Sequence, residues 1–194
     1  MQLSHTIRMA KPEDARELLD IYAPYVTDTA ITFEYDIPTV EEFTERIRSV
    51  QKKYPYILAI SEGTIVGYAY ASSFKARAAY DWAVETTIYL KQGCQGKGIG
   101  KQLYFALENI LRKQNILNLN ACIAYTAAQD TYLTDASARF HEHLGYRKIG
   151  HFTRCGYKFG TWYDMIWMEK LIGEHPDKPQ PVIPITELSS KELW

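Results

Sequence analysis

The chain has 194 residues, 46% of them hydrophobic and 23% charged, proportions that suit one soluble domain with a core closed without disulfides or metal. A formal net charge of -1 gives no electrostatic ground for nucleic acid or an anionic membrane as the main partner, and no apolar run approaches the roughly 20 residues that cross a bilayer. Cys94, Cys122 and Cys155 are an odd number without CxxC spacing, which argues against a disulfide framework and a zinc site. The start, MQLSHTIRMAKPED, carries no apolar leader, so a cytoplasmic location is expected.

Residues 3–9 alternate weakly and read as an edge strand. Pro12 suits a first helical turn, Glu13 and Asp14 favour its positive end, and Leu18, Leu19, Tyr22, Tyr25 and Val26 recur at helical spacing, predicting a helix over 12–26. Thr39-Val40-Glu41-Glu42 is a capping box, followed by a stripe of Phe43, Ile47 and Val50. Strands at 54–61 and 64–74 flank Glu62-Gly63, a hairpin signal. A strand over 81–90 leads through the glycine-rich turn 93–100 into a helix marked by Ile99, Leu103, Leu107, Ile110 and Leu111. A strand at 118–125, a helix at 134–144 and strands near 146–154 and 159–170 complete a mixed sheet with helices on its faces. From Gly173 onward Pro176, Pro179, Pro181 and Pro184 forbid helix or central strand. That tail reads as extended and irregular, a disordered or surface-draped end, or as an arm packing on a neighbouring subunit through Ile183, Ile185 and Leu188.

Gln95-Gly96-Lys97-Gly98-Ile99-Gly100 lies between a strand and a helix. Glycines there let a turn present successive N–H groups to a bulky anion, and the helix behind adds a positive dipole end. Lys97 and Lys101 add full charge, so a pyrophosphate is the natural ligand. A P-loop is excluded by Gln95 and Gln102, which stand where glycine and Ser or Thr are required. The dinucleotide fingerprint is excluded because Lys101 stands at its third glycine. Cys94 has no His or Asp partner at a spacing that would make it a nucleophile.

The remaining pattern, Q/R-x-x-G-x-G/A, resembles the coenzyme A loop of the GCN5-related N-acetyltransferases (GNAT). Further blocks resemble the phosphinothricin acetyltransferase branch: Thr32-Phe33-Glu34, the run from Phe74 to Tyr89, Phe140-His141-Glu142-His143-Leu144-Gly145-Tyr146, and Gly156 to Asp164. The resemblance spans about 5–171. It implies an α/β (α+β) GNAT fold in residues 1–171, with residues 172–194 as an irregular tail. Its mostly antiparallel sheet would have about seven strands flanked by about four helices, with a bulge in the fourth strand and a splay between strands 4 and 5.

The implied activity is transfer of acetyl from acetyl-CoA, without a metal, to the primary amine of a small amino-acid-like molecule by direct attack. The resemblance places the coenzyme on the backbone at Ile88, Tyr89 and Leu90, on Gln95, Gly96, Lys97, Gly98, Ile99, Gly100 and Lys101, and beside Ser137. Glu85 stands where related enzymes hold a carboxylate base, the other reading being a structural carboxylate paired with Arg77 or Lys158. His141 occupies the place of a frequent tyrosine, and a histidine near its ordinary pKa of ~6.5 can donate a proton; it also reads as a plain polar helix residue. Arg77 and Lys158 are candidate anion clamps, Phe33, Tyr80, Trp82 and Trp162 candidate pocket walls, and Glu34 a reserve base. Thr134 replaces the branch's usual Asn, and the loop 124–133 at the substrate mouth is long. With 15 tyrosines and seven phenylalanines, more than a small core needs, a homodimer is expected. Two other functions fit the same blocks: a coenzyme-binding regulatory module without catalysis, and an acetyltransferase acting on protein N-termini or lysines.

Overall fold

The computed structural model describes residues 5–128 and 130–189. In chain order they form β1 (Thr6–Met9), α1 (Ala15–Thr27), α2 (Val40–Gln51), β2 (Tyr56–Ser61), β3 (Thr64–Ser73), β4 (Ala83–Leu90), α3 (Ile99–Lys113), β5 (Asn118–Tyr125), α4 (Ala136–His143), β6 (Arg147–Lys158) and β7 (Thr161–Leu171). Residues 3 and 4 of the first predicted strand, Gln129 of the long loop and tail residues 190–194 lie outside the described residues. The seven strands make one sheet in the order β1-β2-β3-β4-β5-β7-β6, antiparallel throughout except between β4 and β5.

Local chemistry sets most boundaries. Glu62 and Gly63 both have positive φ, 50° and 76°, which is the turn whose twist matches a two-residue hairpin. At α2, Thr39 Oγ1 accepts from the Glu42 N–H at 3.1 Å while Glu42 Oε2 accepts from the Thr39 N–H at 2.7 Å, closing the capping box. Pro12 opens a short 3-10 turn rather than α1 itself, because Asp14 is held back by the Lys11 N–H and by both terminal nitrogens of Arg8. Thr134 Oγ1 accepts from the Ala136 N–H at 3.3 Å, so Thr134 stays outside α4 and serves its entry.

Two cores sandwich the sheet. Leu103, Leu107, Ile110 and Leu111 of α3 pack with Val84, Leu119 and Ala121 on one face. Leu18, Tyr22, Phe43 and Ile47 of α1 and α2 pack on Tyr56, Leu58 and Tyr68 on the other. β6 runs four residues beyond its expected end, because two register shifts absorb its polar, glycine-bearing stretch. Asp164 of β7 stitches that irregular stretch, bonding the Arg154 N–H at 2.8 Å and His151 Nε2 at 2.7 Å.

The expected bulge in β4 is absent: its register with β3 is unbroken from Gly67↔Leu90 to Ser73↔Val84. The splay arises from β5 instead. β4 and β5 pair only at Ala83↔Asn118, Val84↔Leu119 and Glu85↔Asn120, and then part. Where the ladder stops, Thr86 Oγ1 donates to the Asn120 carbonyl at 3.1 Å and Asn120 Nδ2 to the Val84 carbonyl at 3.2 Å. These two side-chain bonds tie the strands together at the last rung.

The tail packs on its own domain rather than reaching out as an arm. Ile185 is only 6% exposed and joins the α3-side core, with Val182 and Leu188 against it. Prolines remove donors, and the domain supplies them: Gln114 Nε2 bonds the carbonyls of Lys53 and Ile183, Asn115 Nδ2 that of Pro181, and Trp82 Nε1 that of Gln180. No helix among the described residues is long and apolar enough to cross a membrane.

Candidate active site

Beyond Glu85 the parted strands enclose a narrow cleft with about 60 Å³ of room, lined by Thr86, Thr87, Ile88, Tyr89, Tyr104, Cys122, Ser137 and His141 among others. The Lys91 N–H donates to the Val66 carbonyl at 2.9 Å, which fixes the ladder phase. Residues 85, 87 and 89 therefore turn their backbone groups to β3, and residues 86, 88 and 90 turn theirs into the cleft. Leu90 gives one of these away, since its carbonyl accepts from Tyr25 Oη at 2.6 Å. The N–H and C=O of Ile88 and the N–H of Leu90 remain to pair with an extended ligand.

Side chains alternate the other way. Glu85 projects from the sheet face that carries α1 and α2, half-buried, opposite Ser72 of β3. No hydrogen bond or ion pair to its carboxylate occurs among the described residues; neither Arg77 nor Lys158 reaches it. Burial raises its pKa above the ordinary carboxylate value, and the charge of Lys75 opposes that rise.

On the α3 side, His141 is 3% exposed. Its Nδ1–H donates to the Ser137 carbonyl at 2.8 Å, so the neutral ring offers Nε2 as an acceptor, and Tyr104 Oη donates to it at 2.7 Å. Burial pushes its pKa down to about 4, against the weaker opposing pull of the Ser137 carbonyl. The expected proton donor is thus a neutral acceptor at physiological pH. Tyr104 escaped sequence reasoning because a tyrosine between Leu103 and Leu107 has the spacing of any core aromatic.

The other expected residues divide into three groups. Phe33 lies against Gly156, where an added Cβ would stand 2.2 Å from its ring, and Glu34 pairs with Arg46 at 2.9 Å. Lys158 is buried, its Nζ donating to the carbonyls of Thr29 at 2.9 Å and Thr32 at 2.8 Å. Those two bonds anchor the loop that carries Phe33 and Glu34. Tyr80 and Trp82 line a different cavity, with His175 and Pro176 of the tail, while Arg77 is exposed nearby and Trp162 is exposed on β7 against Tyr157.

At the far end of β4 the turn into α3 is built on left-handed glycines. Gly96 and Gly98 have φ of 74° and 82°, and a Cβ on either would meet nothing within 4 Å. Conformation alone demands glycine there, and the space before the turn is open. Gln95 braces the turn from behind, its Oε1 accepting from the Gly93 N–H at 2.9 Å. Ile99 is buried and pins the first turn of α3, while Gly100 lets α4 approach: an added Cβ would stand 3.0 Å from Phe140. Lys97 and Lys101 are exposed beside the N–H groups of that turn.

Residues 7–167 match the family model of the acetyltransferase (GNAT) domain. The chain belongs to the GNAT acetyltransferase family. It is similar to a phosphinothricin N-acetyltransferase of Streptomyces viridochromogenes, 34% identical over 94% of this chain and 95% of the relative. A methionine sulfoximine/methionine sulfone acetyltransferase of Salmonella typhimurium is 26% identical over 88% and 96% of the two chains. Among solved structures, a phosphinothricin acetyltransferase of Sinorhizobium meliloti in complex with acetyl-CoA superposes with a TM-score of 0.83, is 33% identical and covers 93% and 94% of the two chains.

A GNAT acetyltransferase takes its acetyl group from acetyl-CoA, and this chain's own geometry fits that coenzyme. The open left-handed turn with the α3 N-terminus suits a pyrophosphate, and the unpaired edge of Ile88 and Leu90 suits an amide-bearing arm in the cleft. Among the described residues, no group of three or more His, Cys, Asp or Glu is placed to hold a metal ion. Gly98→Val puts a β-branched residue at φ 82°, a strain of about 1–3 kcal/mol. Isothermal titration should show acetyl-CoA bound about 10- to 100-fold more weakly, with the Km for the acceptor unaffected.

Proposed function

We propose that this acetyltransferase acts on the primary amine of a small amino-acid-like molecule, of the phosphinothricin, methionine sulfone or methionine sulfoximine kind, by direct attack. One observation carries the reading: Glu85, half-buried and without a partner among the described residues, stands at the last β4–β5 rung, where the cleft opens. Acetyl-CoA supplies an activated acetyl thioester. An amine near pH 7 arrives as ammonium, and Glu85 takes its proton; burial raises the affinity of the carboxylate for that proton, and the charge of Lys75 opposes that rise. The backbone N–H of Ile88, turned into the cleft, is a fixed donor for developing negative charge on oxygen. His141 is assigned a positioning role: the neutral ring holds Tyr104 on the cleft wall and donates no proton itself.

A thiol-release assay over an amine panel tests the reading. Small amino-acid amines should turn over at least about tenfold faster in kcat/KM than a peptide N-terminus or a lysine side chain. Thiol release with none of them would leave a coenzyme-binding module instead. We also propose a cytoplasmic homodimer. The three cysteines are unpaired, as a reducing compartment allows, and Ile149, Phe152, Tyr157 and Trp162 on the β6–β7 hairpin are each 46% exposed or more. Gel filtration at micromolar concentration should give twice the chain mass, and a monomer alone would reject the dimer.

A further inference from the structure

On the face that carries Glu85 lies a second, larger cavity of about 370 Å³, between α2 and strands β2–β4. Its walls include the rings of Tyr22, Tyr56, Tyr68, Tyr70 and Tyr89, with Glu34 and Arg46 set among them. It adjoins the base. Ser72 in its lining is the cross-strand partner of Glu85, and side chains so placed stand about 5 Å apart on one face. Tyr89 lines both this cavity and the cleft. An acceptor whose amine reaches Glu85 therefore has room for its side chain here.

The cavity has a definite electrostatic character. Burial raises the pKa of all five tyrosines, so each phenol stays neutral and offers a hydroxyl or an aromatic face. The cation on the wall, Arg46, is already occupied, because its Nη1 meets Glu34 Oε1 at 2.9 Å. The second carboxylate oxygen, Glu34 Oε2, is buried and makes no hydrogen bond of ordinary length among the described residues, with the Tyr22 hydroxyl close to the carboxylate. Lys75, whose charge reaches Glu85, lies over the rings of Phe74 and Trp167 and is not part of this wall. An anionic side chain would thus meet two carboxylates and, among the described residues of this wall, no cation without a carboxylate partner. A neutral side chain bearing an N–H would find phenol hydroxyls for its acceptors and Glu34 Oε2 for its donor.

Resting on the reading that the acceptor is a small amino-acid-like amine, we infer that Glu34 is a specificity-determining residue. By neutralising Arg46 and presenting a spare lone pair, it selects acceptors whose side chain ends in a neutral polar group with an N–H donor, against those ending in an anion. A sulfoximine has both an S=O acceptor and an N–H donor; a sulfone has only acceptors; a phosphinate carries a full negative charge. A site with a buried group left unmatched discriminates strongly, so each step down this series costs roughly tenfold or more.

The test is kcat/KM for L-methionine sulfoximine, L-methionine sulfone and L-phosphinothricin at saturating acetyl-CoA, for the wild type, Glu34→Gln, and Glu34→Gln combined with Arg46→Met. The wild type should rank them in that order. Glu34→Gln frees Arg46 and should raise phosphinothricin relative to sulfoximine about tenfold, and adding Arg46→Met should abolish that gain. A wild-type preference for phosphinothricin, or a ratio unmoved by Glu34→Gln, overturns the assignment while leaving small-amine acetylation intact. Thiol release with none of the three overturns both. The wild-type ranking needs no variant to fold.

Discussion

Glu85→Gln lowers kcat by about 10²–10⁴-fold and leaves the affinity for acetyl-CoA within about twofold. The two outcomes separate because the two sides of β4 do different work. The Glu85 side chain stands on the α1/α2 face opposite Ser72, whereas the coenzyme is proposed to lie along the backbone of Ile88 and Leu90 and on the turn before α3. Gln keeps the shape and polarity of the carboxylate but cannot take a proton at neutral pH. It also leaves the last β4–β5 rung, Glu85↔Asn120, a backbone pairing, in place. The pH profile gives a second readout. The wild-type kcat/KM should fall as pH drops below the raised pKa of Glu85, because the base is then protonated before the amine arrives. In the variant that limb disappears, and activity climbs steadily toward pH 10 as free amine accumulates in solution. Steady-state thiol release from about pH 5 to 10, with titration calorimetry of the coenzyme, reads both. A variant within about threefold of the wild-type kcat would remove Glu85 from the chemistry.

What was legible in the chain was whatever local chemistry dictates. The capping box at Thr39, the Glu62-Gly63 turn and the left-handed glycines before Ile99 each require particular residues for backbone reasons, and the structure uses them so. Long-range compensation was not legible. Nothing near Lys158 in sequence shows that its ammonium ties down Thr29 and Thr32, more than 120 residues away. The tail read as loose because prolines remove donors, yet Gln114, Asn115 and Trp82 return them from distant elements. The splay was expected with a bulge in β4, whereas β4 runs unbroken along β3 and its pairing with β5 stops after Glu85↔Asn120. Gly96 and Gly98 take left-handed conformations that their residue type makes readable in advance, whereas the burial of His141 beside Tyr104 depends on residues far from it in the chain.

That network makes the fold sensitive to acid in a way that can be measured. His141 is neutral in both folded and unfolded chains above about pH 7.5. As pH falls through about 6.5, the ordinary value for histidine, the unfolded chain takes up a proton. The folded chain does not until about pH 4, because burial among Tyr104, Phe140 and Tyr146 withholds solvent from the charged ring. A folded-state pKa below the unfolded one means stability is fully present above the unfolded value and is lost between the two. With 1.36 kcal/mol for each pH unit of separation, this one residue removes about 3 kcal/mol between pH 6.5 and 4. His141→Gln retains a side-chain oxygen that can accept from Tyr104 and has no proton to gain. Denaturant melts at half-unit steps from pH 7.5 to 4.5 should therefore show the wild type losing up to about 3 kcal/mol more than the variant. Parallel curves would mean that the ring is solvated enough to protonate in place, and that its bond to Tyr104 breaks without cost to the fold.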